Sequence, residues 1–270
     1  MHLSKNKKLQ KFYESVYIKG EKKHYTLLLL SNKKTTESDN EVLKELNWKG
    51  KKVLDVGCGT GNFAFFAAKN GGKVYAIDYS KKAISEAQKK FAHKNLIFEQ
   101  KDLRNIKDSY DVIVSNGTLE HMDNPLQVLR FFKKHLTYSG KIIITSPNWT
   151  NPRGYILMTL RFLFDAPITL ADLHYFTPLD FVEFAKKLKM RLSWRTFDKS
   201  WAHGKVLIKD FKRRIPNVLR DAGLPNKKNN VSIFINWLET NIIQFDNSLP
   251  HSGATAIYIF SNIKTKNKKS

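Results

Sequence analysis

The run Val53-Leu54-Asp55-Val56-Gly57-Cys58-Gly59-Thr60-Gly61 constrains this chain more than any other stretch. An apolar segment ends in an acidic residue and then in three glycines spaced two apart. Read as strand, turn and helix, it sets a Gly-rich backbone at the carboxyl end of a buried strand, where an open α/β sheet binds its ligand. Glycines at these positions allow a tight turn and let a ligand approach the backbone without meeting a Cβ. Glycine spacing alone does not separate a dinucleotide loop from an ordinary turn. Asp55 narrows the choice. A pyrophosphate there would meet a like charge, whereas a ligand with a cationic end would be attracted.

S-adenosylmethionine carries an ammonium and a sulfonium, and the nonapeptide resembles motif I of class I S-adenosylmethionine-dependent methyltransferases. The resemblance is to the broad group that includes the ubiquinone- and glycan-type small-molecule enzymes, and it covers roughly residues 40–190. It implies a Rossmann-like α/β fold. Seven strands form a mostly parallel sheet with an antiparallel edge hairpin, and helices cover both faces.

The rest of the chain reads in that order. Thr36, Ser38 and Asp39 offer N-caps for a helix through Val42, Leu43 and Leu46. Strands are predicted at about Lys52–Val56, Val74–Ile77, Leu96–Phe98, Asp111–Ser115 and Ile142–Thr145, alternating with helices, as a doubly wound parallel sheet requires. Ser139-Gly140 reads as the turn into the fifth strand. Beyond Pro147 the pattern becomes aromatic and Pro-punctuated, and Thr177-Pro178 marks a helix start. Leu192–Phe197 and Ala254–Phe260 are strands that the resemblance pairs as the edge hairpin. Residues from about 200 to 250 read as a helical cap inserted beside the active site, with helices near Val206–Leu219 and Val231–Phe245. The domain is therefore expected over 35–263, between a basic N-terminal arm at 1–34 that folds over the cofactor site and a disordered basic tail at 264–270.

Several residues fall where chemistry is expected. Asp55, Gly57, Cys58, Gly59, Thr60 and Gly61 form the cofactor loop. Asp78 ends the second strand, about twenty residues past the glycines, where a carboxylate accepts both ribose hydroxyls, with Tyr79 beside it. The resemblance implies that Asp102 accepts from the adenine amino group, with the Leu103 N–H on the ring. It also implies that backbone at Asn116 and Gly117 borders the methionine end of the cofactor. Ser115-Asn116-Gly117-Thr118-Leu119-Glu120-His121 looks like motif IV of the family. His121 is the one titratable group of suitable range near the transfer point. It reads either as a base for a hydroxyl acceptor or as a structural cap of the next helix. In ubiquinone-type relatives a further Glu of this motif can help to hold a divalent metal; here Gly117 occupies its place, and no metal is expected. His174 and Tyr175, in a segment resembling one that closes over the pocket, are candidate substrate contacts. Trp149, after strand five, is expected as a wall of the acceptor site.

Composition bounds the alternatives. At 270 residues with 41% hydrophobic residues, the chain can build a core. The single cysteine, Cys58, precludes an internal disulfide or a cysteine-cluster zinc site and is consistent with a reducing cytoplasm. It also weakens any cytosine C5 chemistry, and the absence of an Asn/Asp-Pro-Pro-aromatic run weakens nucleic-acid amino methylation. The net charge of +23 is concentrated peripherally: +7 over 1–34, +7 over 199–230 and +4 over 261–270. Such a periphery suits an anionic membrane, a phosphorylated substrate or RNA, or it serves solubility alone. With the apolar stretch Tyr155–Phe164, it favours a cytoplasmic protein peripheral to a membrane. Lys212-Arg213-Arg214 reads as a solvated helix face. The expected activity is methyl transfer to a hydroxyl on a small molecule such as a quinone precursor, a lipid-linked compound or a sugar. An RNA-modifying enzyme and a non-catalytic cofactor-binding module stand as alternatives.

Overall fold

The computed structural model describes residues 35–169, 172–198, 204–241 and 251–263. The expected arm at 1–34 and tail at 264–270 lie outside the described residues. So does the end of the predicted helix near Phe245.

A seven-stranded sheet has the order β3-β2-β1-β4-β5-β7-β6. Its strands are β1 (Lys52–Val56), β2 (Lys73–Asp78), β3 (Leu96–Gln100), β4 (Tyr110–Asn116), β5 (Leu136–Pro147), β6 (Met190–Phe197) and β7 (Thr255–Asn262). Strands β3, β2, β1, β4 and β5 run parallel, and Val53 registers with Val74 on one side and Val112 on the other. The apolar runs explain this arrangement. Val53, Leu54, Ile113, Val114, Ile142, Ile143 and Ile144 are fully buried, as central strands covered on both faces must be. Strands β6 and β7 lie together at the edge, as the resemblance implied. Strand β5 begins at Leu136 rather than after Ser139-Gly140, with a register irregularity between Tyr110 and Val112 of β4.

The helices, in chain order, are α1 (Glu37–Leu43), α2 (Asn62–Lys69), α3 (Lys81–Lys90), α4 (Pro125–Lys134), α5 (Pro152–Phe164), α6 (Pro178–Leu188), α7 (Gly204–Asp221) and α8 (Lys228–Asn241). Each start has a local cause. Thr36 caps α1 in a reciprocal box with Asp39, Ser80 caps α3, and Asn124 caps α4 with Pro125 in the first turn.

The chain divides into two compact units. The first holds residues up to 146 together with 181–193 and 257 onward, and so contains the loops that follow β1, β2 and β4. The order places β2 and β4 on opposite sides of β1, which makes the carboxyl end of β1 the switch point where such sheets take ligands. The second unit comprises 147–180 and 194–256. Its core joins Leu157 of α5 to Leu207, Ile208, Phe211 and Ile215 of α7 and to Ile235 and Leu238 of α8. The helices expected as a cap insertion therefore share a core with α5.

Candidate active site

The first unit builds its site from the glycine loop upward. Gly57, Gly59 and Gly61 all adopt positive φ, at 74°, 52° and 83°. At Gly57 a Cβ would lie 2.4 Å from Thr118 Cγ2, and at Gly61 it would lie 2.5 Å from Phe98 Cζ. These two glycines are thus required by packing against the protein itself as well as by backbone conformation. The loop is tied to β2 by Gly57 N–H and Cys58 N–H, which both donate to Ile77 O, and by Gly59 N–H, which donates to Asp78 Oδ2 at 3.0 Å. Ser80 N–H donates to the other Asp78 oxygen at 2.8 Å. Two backbone donors therefore fix the Asp78 carboxylate at the end of β2. Tyr79 is partly exposed beside it.

Asp55 is only 2% exposed, and its Oδ2 has no hydrogen-bond partner among the described residues. Burial, reinforced by the Asp39 and Asp78 carboxylates, pushes its carboxyl well above the usual range. Asp39, also buried, is pushed up by desolvation against the hydrogen bonds it receives. Three carboxyl groups from α1, β1 and β2 thus crowd at one end of the sheet, where their proximity favours a proton or a bound cation. Burial, with the same Asp55 and Asp78 charges, pushes the Cys58 thiol up, so it stays protonated and is a poor nucleophile.

The loop after β4 is braced against this cluster. Asn116 Nδ2 donates to Asp39 Oδ1 at 2.8 Å, while the Asn116 side-chain oxygen accepts from Thr145 Oγ1. Gly117 N–H donates to both the backbone and hydroxyl oxygens of Thr145. Thr118 Oγ1 reaches Gly57 O and Asn116 O, joining this loop to the glycine loop. Around Gly117 the backbone is open, since a Cβ there would meet nothing nearer than Glu120 Oε1 at 3.9 Å. His121 ends the short turn Leu119–His121, and its N–H donates to Thr118 O. The cap of the following helix is Asn124, whose side chain accepts from Gln127 N–H, so His121 does not serve in that role. Among the described residues, no three His, Cys, Asp or Glu side chains gather into a metal-holding group.

The other expected contact residues lie as follows. Asp102 caps a short turn and is forked by the Arg104 guanidinium and N–H, with Leu103 buried next to it. This exposed pair opens at little cost. In the second unit, Trp149 is buried in the core, edge-on to Tyr175 with ring centroids 5.4 Å apart. Asn148 and Asn151 cause this. Their side-chain amides donate to His251 O and Gly253 O and fold the chain inward after β5. His174 stacks on Phe176. The expectation of a solvated 212–214 face fails for Arg214. Asp210 is fully buried and holds Arg214, Arg153 and Arg213, and Arg214 also donates to Ile168 O. Sequence reasoning treated Asp39 only as a cap and missed Thr145; the Thr36-x-x-Asp39 box was the available signal for the first.

The family described as Methyltransferase domain matches residues 47–174. That segment is a class I S-adenosylmethionine-dependent methyltransferase domain. The malonyl-acyl-carrier-protein O-methyltransferase of Bacillus cereus is 33% identical over 99 residues, which are 35% of this chain and 37% of that protein. The ubiquinone biosynthesis O-methyltransferase of Aeromonas salmonicida is 28% identical over 117 residues, 41% of this chain and 49% of that protein. The chain thus spans less than half the length of these curated relatives. A SAM-dependent methyltransferase structure from Thermotoga maritima shares the fold, with a TM-score of 0.54 and 13% identity over 84% of this chain and 88% of that one.

Proposed function

We propose that the chain transfers a methyl group from S-adenosylmethionine to a hydroxyl of a small-molecule acceptor. The observation that carries this reading is the buried Asp55 carboxylate, unpartnered at Oδ2 among the described residues and set beside Asp39 and Asp78 at the switch point of the sheet. A buried charge without a partner is costly, and a cationic ligand relieves that cost where a pyrophosphate would add to it. When bound, the cofactor supplies a methyl group on a sulfonium.

The chain's own residues then do the following. Asp55 and Asp39 provide the field for the cationic end, and Asp78, oriented by two backbone N–H groups, accepts the ribose hydroxyls. Asp102 and the Leu103 N–H bound the adenine, and the open backbone at Gly117 borders the methyl group. Methyl transfer is a displacement at carbon, so alignment in a dry site supplies most of the catalysis. His121 takes the hydroxyl proton of the acceptor. The matched relatives are named as O-methyltransferases, which supports an oxygen acceptor. The neutral Cys58 thiol argues against attack on a cytosine ring.

Titration calorimetry with S-adenosylmethionine, its demethylated product and NAD tests the reading. Binding of the first two and not the third is expected, with Asp78→Ala weakening binding by about 1–3 kcal/mol through loss of charge-assisted hydrogen bonds. Tighter binding of NAD would overturn it.

A further inference from the structure

Helix α5 is apolar on two sides. Leu157 faces the core of the second unit, yet Tyr155, Phe162, Leu163 and Phe164 are exposed, Phe162 at 76% and Leu163 at 70%. Tyr155, Thr159, Phe162 and Leu163 follow i, i+4, i+7 and i+8, which places them in one outward stripe. A helix that shows its aromatic side to water marks an interaction surface rather than scattered surface residues. Helix α8 repeats the feature with Ile233 and Trp237, both more than half exposed.

The charge beside these stripes specifies the partner. Helix α7 turns Lys205, Lys209, Lys212 and Arg213 outward at the same helical spacing. It is tied to α5 by the Arg153–Asp210 pair at 3.2 Å and to the segment after α5 by Arg214 and Ile168 O at 3.0 Å. Lys212 sits 3.7 Å from Glu239 of α8, whereas Lys205, Lys209, Lys227 and Lys228 have no ion pair among the described residues. Among the described residues no helix is long and apolar enough to cross a membrane. Exposed aromatics combined with unpaired lysines match a surface that lies on an anionic bilayer, with the rings at the headgroup boundary and the lysines against phosphates and carboxylates. Apposing two copies through the same faces would set lysine against lysine, and RNA would leave the Phe162–Leu163 stripe unused.

We infer that the second unit is a membrane-docking module: the outward stripe of α5 enters the interface of an anionic bilayer and the lysines of α7 hold its headgroups. This goes beyond the proposed activity and does not depend on it.

The test is co-sedimentation of the full chain with phosphatidylcholine vesicles and with vesicles containing roughly a third phosphatidylserine, at low and high salt. Preferential pelleting with the anionic vesicles, reversed by salt, is expected. Phe162→Ser with Leu163→Ser should weaken partition at least about tenfold, because two apolar side chains that would enter the bilayer interface are lost. Lys205→Ser with Lys209→Ser should weaken it about fivefold per lysine. Both pairs are exposed, so unchanged thermal melting is the accompanying control. Lys44→Ser with Lys186→Ser, in the first unit, should leave partition unchanged. Equal binding to both vesicle types, or anionic binding that is indifferent to the Phe162–Leu163 change, would overturn the inference. A lipid-free dimer, seen by sedimentation velocity and dissolved by that same change, would also overturn it in favour of a second copy.

Discussion

Asp39 Oδ1 accepts a hydrogen bond from Asn116 Nδ2 at 2.8 Å, across 77 positions of sequence. Through it the first helix of the described chain holds the loop after β4, and Thr145 holds the same asparagine from the other side. The Asp39 carboxylate also accepts from Thr36 N–H, so one side chain both closes the helix cap and braces the site.

Asp39→Ala should therefore remove more than a cap. It leaves the half-buried Asn116 amide without this partner and opens the Thr36 cap, at a cost of about 1–2 kcal/mol. It should also weaken cofactor binding, because the loop carrying Gly117 loses its brace and Asp55 loses a neighbouring charge. Chemical denaturation and calorimetry on the same variant check both effects. A stability loss with unchanged cofactor affinity would confine Asp39 to the cap.

Asp55 makes a prediction with a definite sign. Its carboxyl is raised in the folded protein, by burial first and then by Asp39 and Asp78. The folded state thus binds this proton more tightly than the unfolded chain does. The resulting stabilisation is full below the unfolded carboxylate range and is lost as pH rises through the folded value. Asp55→Asn removes the dependence. Without cofactor, its melting temperature relative to wild type should climb as pH increases from acidic to neutral, while its affinity for S-adenosylmethionine falls. Parallel melting curves across that range would show that Asp55 does not carry the buried charge.

These relationships mark where the sequence was legible. The parallel strands were readable because Val53-Leu54 and Val112-Ile113-Val114 are apolar without alternation, and both faces of a central parallel strand are buried. Asp78 and Gly57 were readable because each follows such a run directly. Asp39 was not, since a carboxylate in a capping box has the same local pattern whether it faces water or a partner 77 positions away. The second unit was hidden for a related reason. Helix α5 is apolar on both its inner and outer sides, so periodicity does not reveal which side packs against α7 and α8. The position of Trp149 follows from the Asn148 and Asn151 amides reaching Gly253, a contact about a hundred positions away that nothing in the local sequence announces.

Asp210 supplies a stability prediction independent of the site. Burial pushes its carboxyl up, but Arg214 and Arg153 together hold it below the usual carboxylate value. A lowered value means that its contribution is present above the unfolded carboxylate range and is lost as pH falls through the folded value. Asp210→Ala strands two largely buried guanidiniums, and about 3–5 kcal/mol of stability should disappear with it. Arg213→Ala, which breaks only the more exposed arm of the cluster, should cost less than about 1 kcal/mol. Urea titration of the two variants separates these expectations, and equal losses would mean that the charge is not concentrated on Arg153 and Arg214.

His121 bears on the chemistry itself. Asn124, not His121, caps α4, so removing the imidazole should not undo that helix start. His121→Ala should therefore leave the Asn124 cap of α4 in place, with melting measured alongside turnover. If the imidazole takes the acceptor proton, turnover with a hydroxyl acceptor should drop about a hundredfold or more while cofactor affinity stays constant. The acid limb of the pH–rate profile should vanish in the same variant, because the group whose protonation silences the wild type is gone. An acceptor that is already an anion needs no base, so its methylation should be nearly insensitive to the change. Measuring turnover on a matched pair, a phenol-like acceptor and one ionised at the assay pH, distinguishes proton removal from simple loss of packing. A loss of rate that is equal for both acceptors would take His121 out of acid–base chemistry.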